Sequence, residues 1–240
     1  MRRARTANKP VCAATILIPR VLLDTADIPG SKETLRLIQR GVEFSIMLGA
    51  NELMNSRLSG SEEALASLAC AKLLSRPNPR LLIGGLGMGF TLRTALAELG
   101  SDAEIIVAEL VPAVVAWANG PMAEHHGDSL SDQRTSIVTD DVAKLIREGE
   151  ARYDAILLDV DNGPDGLIKG ANDHHYSADG LTRAWRALRP DGVLAIWSAA
   201  PDRRFAERLR SIGFAVEEHA VRAHQGKSGA RHVIWLASKI

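Results

Sequence analysis

Short apolar runs alternate along this chain with longer segments whose apolar positions recur at helical spacing. The runs at residues 81–83, 104–108, 135–138, 155–158 and 193–197 predict buried strands. Segments 91–99, 111–118, 142–148, 177–188 and 201–211 predict the helices between them. Strand–helix alternation of this kind predicts an α/β fold, a Rossmann-like, doubly wound and mostly parallel sheet with right-handed crossovers. The alternation fails at the end. Residues 214–222 and 232–237 read as strands with no helix between them, so they should pair as an antiparallel hairpin and complete a seven-stranded sheet.

Upstream the pattern changes. Val42, Phe44 and Ile46 alternate with Glu43 and Ser45, which is strand periodicity. With the turn signals Pro29-Gly30 and Gly49-Ala50-Asn51, this predicts a small β-rich N-terminal extension over residues 1–60, ahead of the Rossmann-like domain over 61–240. Ser61 is the expected N-cap of the joining helix, with Glu62 and Glu63 suiting its first turn.

The chain of 240 residues has ordinary globular composition, 46% hydrophobic and 24% charged, and a formal net charge of zero. Zero net charge argues against a large nucleic-acid footprint. The only basic cluster, Arg2, Arg3, Arg5 and Lys9, reads as a tail. No apolar run approaches the ~18 residues of a membrane span. Cys12 and Cys70 are isolated, which disfavours structural zinc and suggests reduced thiols in a cytoplasmic protein. Cys70 is expected in a helical core. No metal is expected.

Candidate chemistry starts at Leu81-Leu82-Ile83-Gly84-Gly85-Leu86-Gly87-Met88-Gly89. A buried strand that ends in glycines and opens a helix is where an α/β sheet holds a nucleoside. The NAD fingerprint GxGxxG fails here, because Phe90 or Leu92 stands at the third glycine. Gly85, Gly87 and Gly89 fit GxGxG instead. Glu109 ends the second strand, where two carboxylate oxygens can accept both hydroxyls of a ribose. Asp140 and Asp141 follow the third strand. One of them can cap the next helix, and the other can accept an adenine amino group.

Several stretches resemble the spermidine synthase family, the polyamine aminopropyltransferase-like branch of the class I S-adenosylmethionine-dependent methyltransferase superfamily. Ile83-Gly84-Gly85 with Thr91-Leu92-Arg93 resembles its glycine loop. Tyr153 through Asp159 resembles the strand that ends in its catalytic aspartate, and Ser45 through Arg57 resembles its N-terminal hairpin. The resemblance implies that Glu109 holds the ribose, Asp141 the adenine, and Glu52 the cofactor tail. It places Asp159 before the acceptor with Asp161 as a second candidate, and Tyr176 closing the site. It also implies a homodimer.

Three departures accompany the resemblance. Leu86-Gly87-Met88-Gly89 lacks the family's acid for the aminopropyl amine. Asp159-Val160-Asp161-Asn162-Gly163-Pro164 lacks the family's Asp-Pro. Ala64 and Leu65 stand near the family's Tyr-His. Each touches the amine side and spares the nucleoside side.

The expected function is therefore a transferase using S-adenosylmethionine or its decarboxylated form, with methyl transfer to a small amine leading and aminopropyl transfer to a polyamine as the alternative. A non-catalytic nucleoside-binding relative and a dehydrogenase are the rivals. His174 and His175 are adjacent, hence divergent, and read as loop residues, as do His125 and His126. Trp197 fits either the acceptor pocket or the core.

Overall fold

A computed structural model describes residues 18–159, 176–223 and 231–240. Arg2, Arg3, Arg5, Lys9, Cys12, Asp161, His174 and His175 lie outside the described residues. Four strands come first: β1 (Val21–Asp27), β2 (Thr34–Arg40), β3 (Glu43–Leu48) and β4 (Asn51–Asn55), an antiparallel sheet in simple order. Helix α1 (Gly60–Ala71) leads into the second sheet.

That sheet comprises β5 (Arg80–Gly84), β6 (Glu104–Ala108), β7 (Thr135–Val138), β8 (Tyr153–Leu158), β9 (Leu188–Ser198), β10 (Phe214–Arg222) and β11 (Arg231–Lys239). Its spatial order is β10-β11-β9-β8-β5-β6-β7. The strands from β5 to β9 pair in parallel, and β11 runs antiparallel to both β9 and β10, as expected. The helices between them are α2 (Phe90–Glu98), α3 (Pro112–Asn119), α4 (Ala123–His126), α5 (Val142–Glu148), α6 (Ala178–Ala187) and α7 (Arg203–Ile212).

Why the central strands read as unbroken apolar runs is visible in the packing. Leu81 and Ile83 of β5, Ala155 and Leu157 of β8, and Val193 and Ala195 of β9 face one core, shared with α1, α2, α3 and the N-terminal sheet. The intervening Leu82, Ile156, Leu158, Leu194 and Ile196 face the opposite core, under α5, α6 and α7. Successive strand residues point to opposite faces, so a sheet covered on both sides must be apolar throughout. Cys70 lies in the first core, fully buried, with its thiol pushed up to about 12 by desolvation.

The sheet is fastened at the amino ends of its strands by Asp154. This buried carboxylate accepts from Arg76 Nη1 (2.7 Å), Arg189 Nη1 (2.7 Å) and the Arg80 backbone N–H (2.8 Å). It ties the segment after α1 to β5, β8 and β9.

Two local expectations are corrected. Helix α1 begins two residues earlier, so Ser61 is not its N-cap. Ser59 holds that position without a side-chain bond, and Ser61 sits buried in the first turn. His125 and His126 are not on a surface loop. They form the turn α4, and His126 is buried. Among the described residues, no helix is long and apolar enough to cross a membrane.

Candidate active site

The sheet order reverses between β5 and β8, because the chain runs from β5 outward to β6 and β7 and then returns to β8 on the other side. Ligands of open α/β sheets bind at such a switch point, outside the carboxyl ends of the strands. The glycine loop after β5 and Asp159 after β8 flank it. The Asp159 N–H donates to the Gly84 carbonyl at 3.3 Å.

The loop is shaped by its glycines. Gly85, Gly87 and Gly89 have φ of 89°, 49° and 71°, the left-handed region. A Cβ on Gly87 would come 2.9 Å from Met54 Sδ of β4, and one on Gly89 2.6 Å from Nδ1 of the His126 ring. The N-terminal sheet therefore closes on the loop from one side and α4 from another. Gly89→Ala combines left-handed strain with overpacking against a buried ring. It should cost about 2–4 kcal/mol, measured by urea denaturation. A loss below ~0.5 kcal/mol would show that the loop and His126 are not held as described.

Glu109 fixes the loop from below. It is buried, and its Oε2 accepts the Leu86 N–H at 2.9 Å while Oε1 accepts the Val111 N–H at 2.8 Å. Burial pushes its carboxyl up, and backbone N–H groups of Val111, Leu86, Gly87 and Leu110 oppose that shift.

Of the acid pair, Asp141 is the helix cap. Its Oδ1 accepts the Ala143 N–H at 2.8 Å. Asp140 accepts the Asp141 N–H at 2.9 Å and pairs with Lys144 at 2.5 Å, which holds its carboxyl below the usual range. The residue-level expectation divided cap from adenine contact. Here the acid that the resemblance places on adenine is also the cap.

Asp159 accepts from Thr91 Oγ1 at 2.9 Å, a buried hydroxyl in the first turn of α2. Its pKa is pushed up to about 7, first by burial and then by the negative charge of Glu62, with the Thr91 bond opposing. Glu62 is itself shifted up by burial. From sequence, Glu62 suits a helix start and Thr91 belongs to the glycine-loop resemblance, and neither the Thr91–Asp159 bond nor the place of His232 is visible there. A negative residue near the family's Tyr-His was the available signal for Glu62.

Glu52 belongs to the β3–β4 hairpin. It accepts from Ser45 Oγ (2.7 Å), Asn55 Nδ2 (2.9 Å) and Arg57 Nη2 (3.2 Å). Among the described residues, no hydrogen bond or ion pair joins it to the glycine loop. Tyr176, expected to close the site, is instead a buried core residue. Its ring packs edge-on to Phe205 at 5.8 Å, in the same apolar cluster as Leu158. Trp197 meets the His232 ring at 4.7 Å between centroids. Among the described residues, no group of three His, Cys, Asp or Glu could hold a metal.

Residues 61–203 match the family model of the spermine/spermidine synthase domain. The chain belongs to that family. Within the spermine/spermidine synthases, it is 32% identical over 156 residues to polyamine aminopropyltransferase 1 of Streptomyces coelicolor. That alignment takes in 62% of this chain and 28% of the relative. A polyamine aminopropyltransferase of Sulfolobus acidocaldarius is 29% identical over 140 residues, 56% of this chain and 44% of that one. The chain thus spans less than half the length of these curated relatives. Spermidine synthase from Thermotoga maritima superposes with a TM-score of 0.72 at 18% identity, over 91% of this chain and 73% of the other. A Burkholderia thailandensis 1,6-didemethyltoxoflavin-N1-methyltransferase superposes with 0.53 at 24% identity, over 75% of this chain and 79% of that one. Both likenesses concern the fold.

Proposed function

We propose that this chain is an aminopropyltransferase, moving the aminopropyl group of decarboxylated S-adenosylmethionine to an alkyl amine and so making a polyamine. Methyl transfer, the leading expectation from sequence, gives way to its alternative because the curated relatives are aminopropyltransferases. The observation that carries the reading is Asp159. It is a carboxylate at the switch point, beside the glycine loop, with its pKa raised to about 7.

The donor supplies a carbon bonded to a positive sulfur, and the bond electrons return to that sulfur as the amine nitrogen bonds to the carbon. The residues of this chain do the rest. The left-handed backbone at Gly85 lets the 84–89 loop approach the nucleoside closely. Glu109 presents its carboxylate to a ribose, since its oxygens have further lone pairs beside those that accept the Leu86 and Val111 N–H groups. Asp141, fixed as a cap, accepts from adenine, and Glu52 lies toward the donor's tail. Tyr176 backs the acceptor side from within the core.

An alkyl ammonium has a pKa of ~10.4, so it must lose a proton before or during attack. Asp159 accepts that proton. A base with a pKa near the working pH suits the step. Holding both reactants in line supplies most of the acceleration. Asp161 would assist from the same loop. Exposed Val21, Leu22 and Leu23 on the edge strand β1 suit a homodimer.

The reading is tested by calorimetric titration with both sulfonium compounds. Decarboxylated S-adenosylmethionine should bind at least about tenfold more tightly, a difference of ~1.4 kcal/mol. Tighter binding of the carboxylated form would overturn aminopropyl transfer and return the reading to methyl transfer. The loop Leu86-Gly87-Met88-Gly89, which has no acid for an aminopropyl amine, favours that second outcome.

A further inference from the structure

The hairpin of β3 and β4 contains one irregularity. Ile46 pairs with Met54, but the next residue, Met47, pairs with Glu52, so β4 carries Leu53 as an extra residue. That is a β-bulge, and bulges re-aim the side chains beside them. Residues two apart on a regular strand share a face. Glu52 and Met54 do not, because their partners Met47 and Ile46 are successive and face opposite ways. Glu52 stays on the face of Ser45, to which it is bonded. Met54 joins the face of the fully buried Ile46 and packs against the first core.

On that face Met54 meets the glycine loop. Its Sδ stands 2.9 Å and its Cε 3.7 Å from where a Cβ of Gly87 would be, so the thioether fills the side-chain space of position 87. Leu86 and Met88, on either side of Gly87, are buried in the same core. Gly87, with a φ of 49°, is the bend between these two anchors. Methionine is unbranched and has three rotatable bonds, which suits it to an irregular gap. A second fastening holds the sheet in place. Asp24 of β1 accepts from Trp117 Nε1 of α3 at 2.7 Å. Because α3 follows Glu109, the N-terminal sheet is tied both to the loop after β5 and to the helix after β6.

We propose that Met54 is a positioning residue for the donor nucleoside, acting through Gly87. The thioether holds the loop in its left-handed course, and residues 54 and 87 form a matched pair in which one side chain fills the space of both. This role rests on the nucleoside-donor reading above. It makes the small N-terminal sheet part of the donor site through an apolar contact, which the bulge at Leu53 aims.

The test is calorimetric titration with 5′-methylthioadenosine, the nucleoside that remains when the donor has given up its aminopropyl group. Wild type should bind it. Met54→Ala should lose at least about tenfold in affinity, since a small displacement of a positioning element is costly. Met54→Leu, of similar volume, should stay within about threefold of wild type. Leu53→Ala removes apolar contact with the same core from the neighbouring residue and should also stay within about threefold. A merely structural role would lower Leu53→Ala as far as Met54→Ala, and that result would overturn the assignment. Gly87→Ala should lose affinity too. Met54→Ala with Gly87→Ala should lose at least about fivefold less than the product of the two single losses, because removing the thioether makes room for the new methyl. Met54→Ala that binds as wild type does, or two substitutions with independent effects, would refute the role of Met54 and leave the proposed function standing. Wild type that fails to bind the nucleoside removes both. Should Met54→Ala not fold, as judged by urea melts, Met54→Val takes its place under the same criteria, since valine suits a strand and lacks the Sδ and Cε atoms.

Discussion

Replacing Asp159 by asparagine should lower turnover by about 10²–10⁴-fold, the usual reach of a positioned general base, while leaving nucleoside binding in place. The same substitution should stabilise the protein at alkaline pH. The sign follows from linkage. Asp159 has a folded pKa of about 7 against 3.8 for an ordinary aspartate, so between those values the native state holds more protons than the unfolded chain. Its destabilising contribution is therefore absent at pH 4, grows as pH rises, and is complete above pH 7. A full shift of this size would correspond to ~4 kcal/mol, and partial exposure of the residue reduces the expected gain to about 1–2 kcal/mol. Urea melts at pH 4.5 and 8 check this. Parallel stabilities of the two proteins at both pH values would refute the raised pKa. Wild-type turnover should also fall as pH drops through about 7, because the protonated acid cannot accept.

Glu109→Gln should be nearly as damaging, for a different reason. Both oxygens of Glu109 accept backbone N–H groups, from Leu86 and from Val111. A glutamine keeps the shape but must turn its amino group toward one of those donors. The result is a buried donor facing a donor, worth about 1–3 kcal/mol of stability, and a displaced glycine loop. Affinity for 5′-methylthioadenosine should fall at least tenfold, since the loop and the ribose acceptor fail together. Calorimetry measures the second effect and denaturant melts the first. Unchanged nucleoside affinity would remove Glu109 from the donor site.

The fold was legible because its strands are buried on both faces, which forces uninterrupted apolar runs that no surface element shares. The glycine loop was legible because left-handed backbone requires glycine. The missed features depend on tertiary contact. Nothing in the run Ser61-Glu62-Glu63 tells that Ser61 is buried and donates its hydroxyl to Glu62. The contact of Ser61 with His232, far along the chain, exists only once β11 lies against β9. His126 read as loop because its neighbours Gly127 and Asp128 are turn formers, yet α4 folds it against Gly89. Tyr176 sits beside residues suited to a loop, but the apolar demand of α6 and α7 draws its ring inward. Asp141 met the capping expectation for its pair with one oxygen of its two.

Asp154 and its arginine partners hold the strands at the edge opposite the chemistry. Part of the register is thus secured away from the glycine loop and Asp159. Such an arrangement lets acceptor-facing segments be exchanged, lengthened or retuned with small effect on folding. On the proposed amine-acceptor reading, a lineage built on this scaffold could change its acceptor while the sheet stays in place.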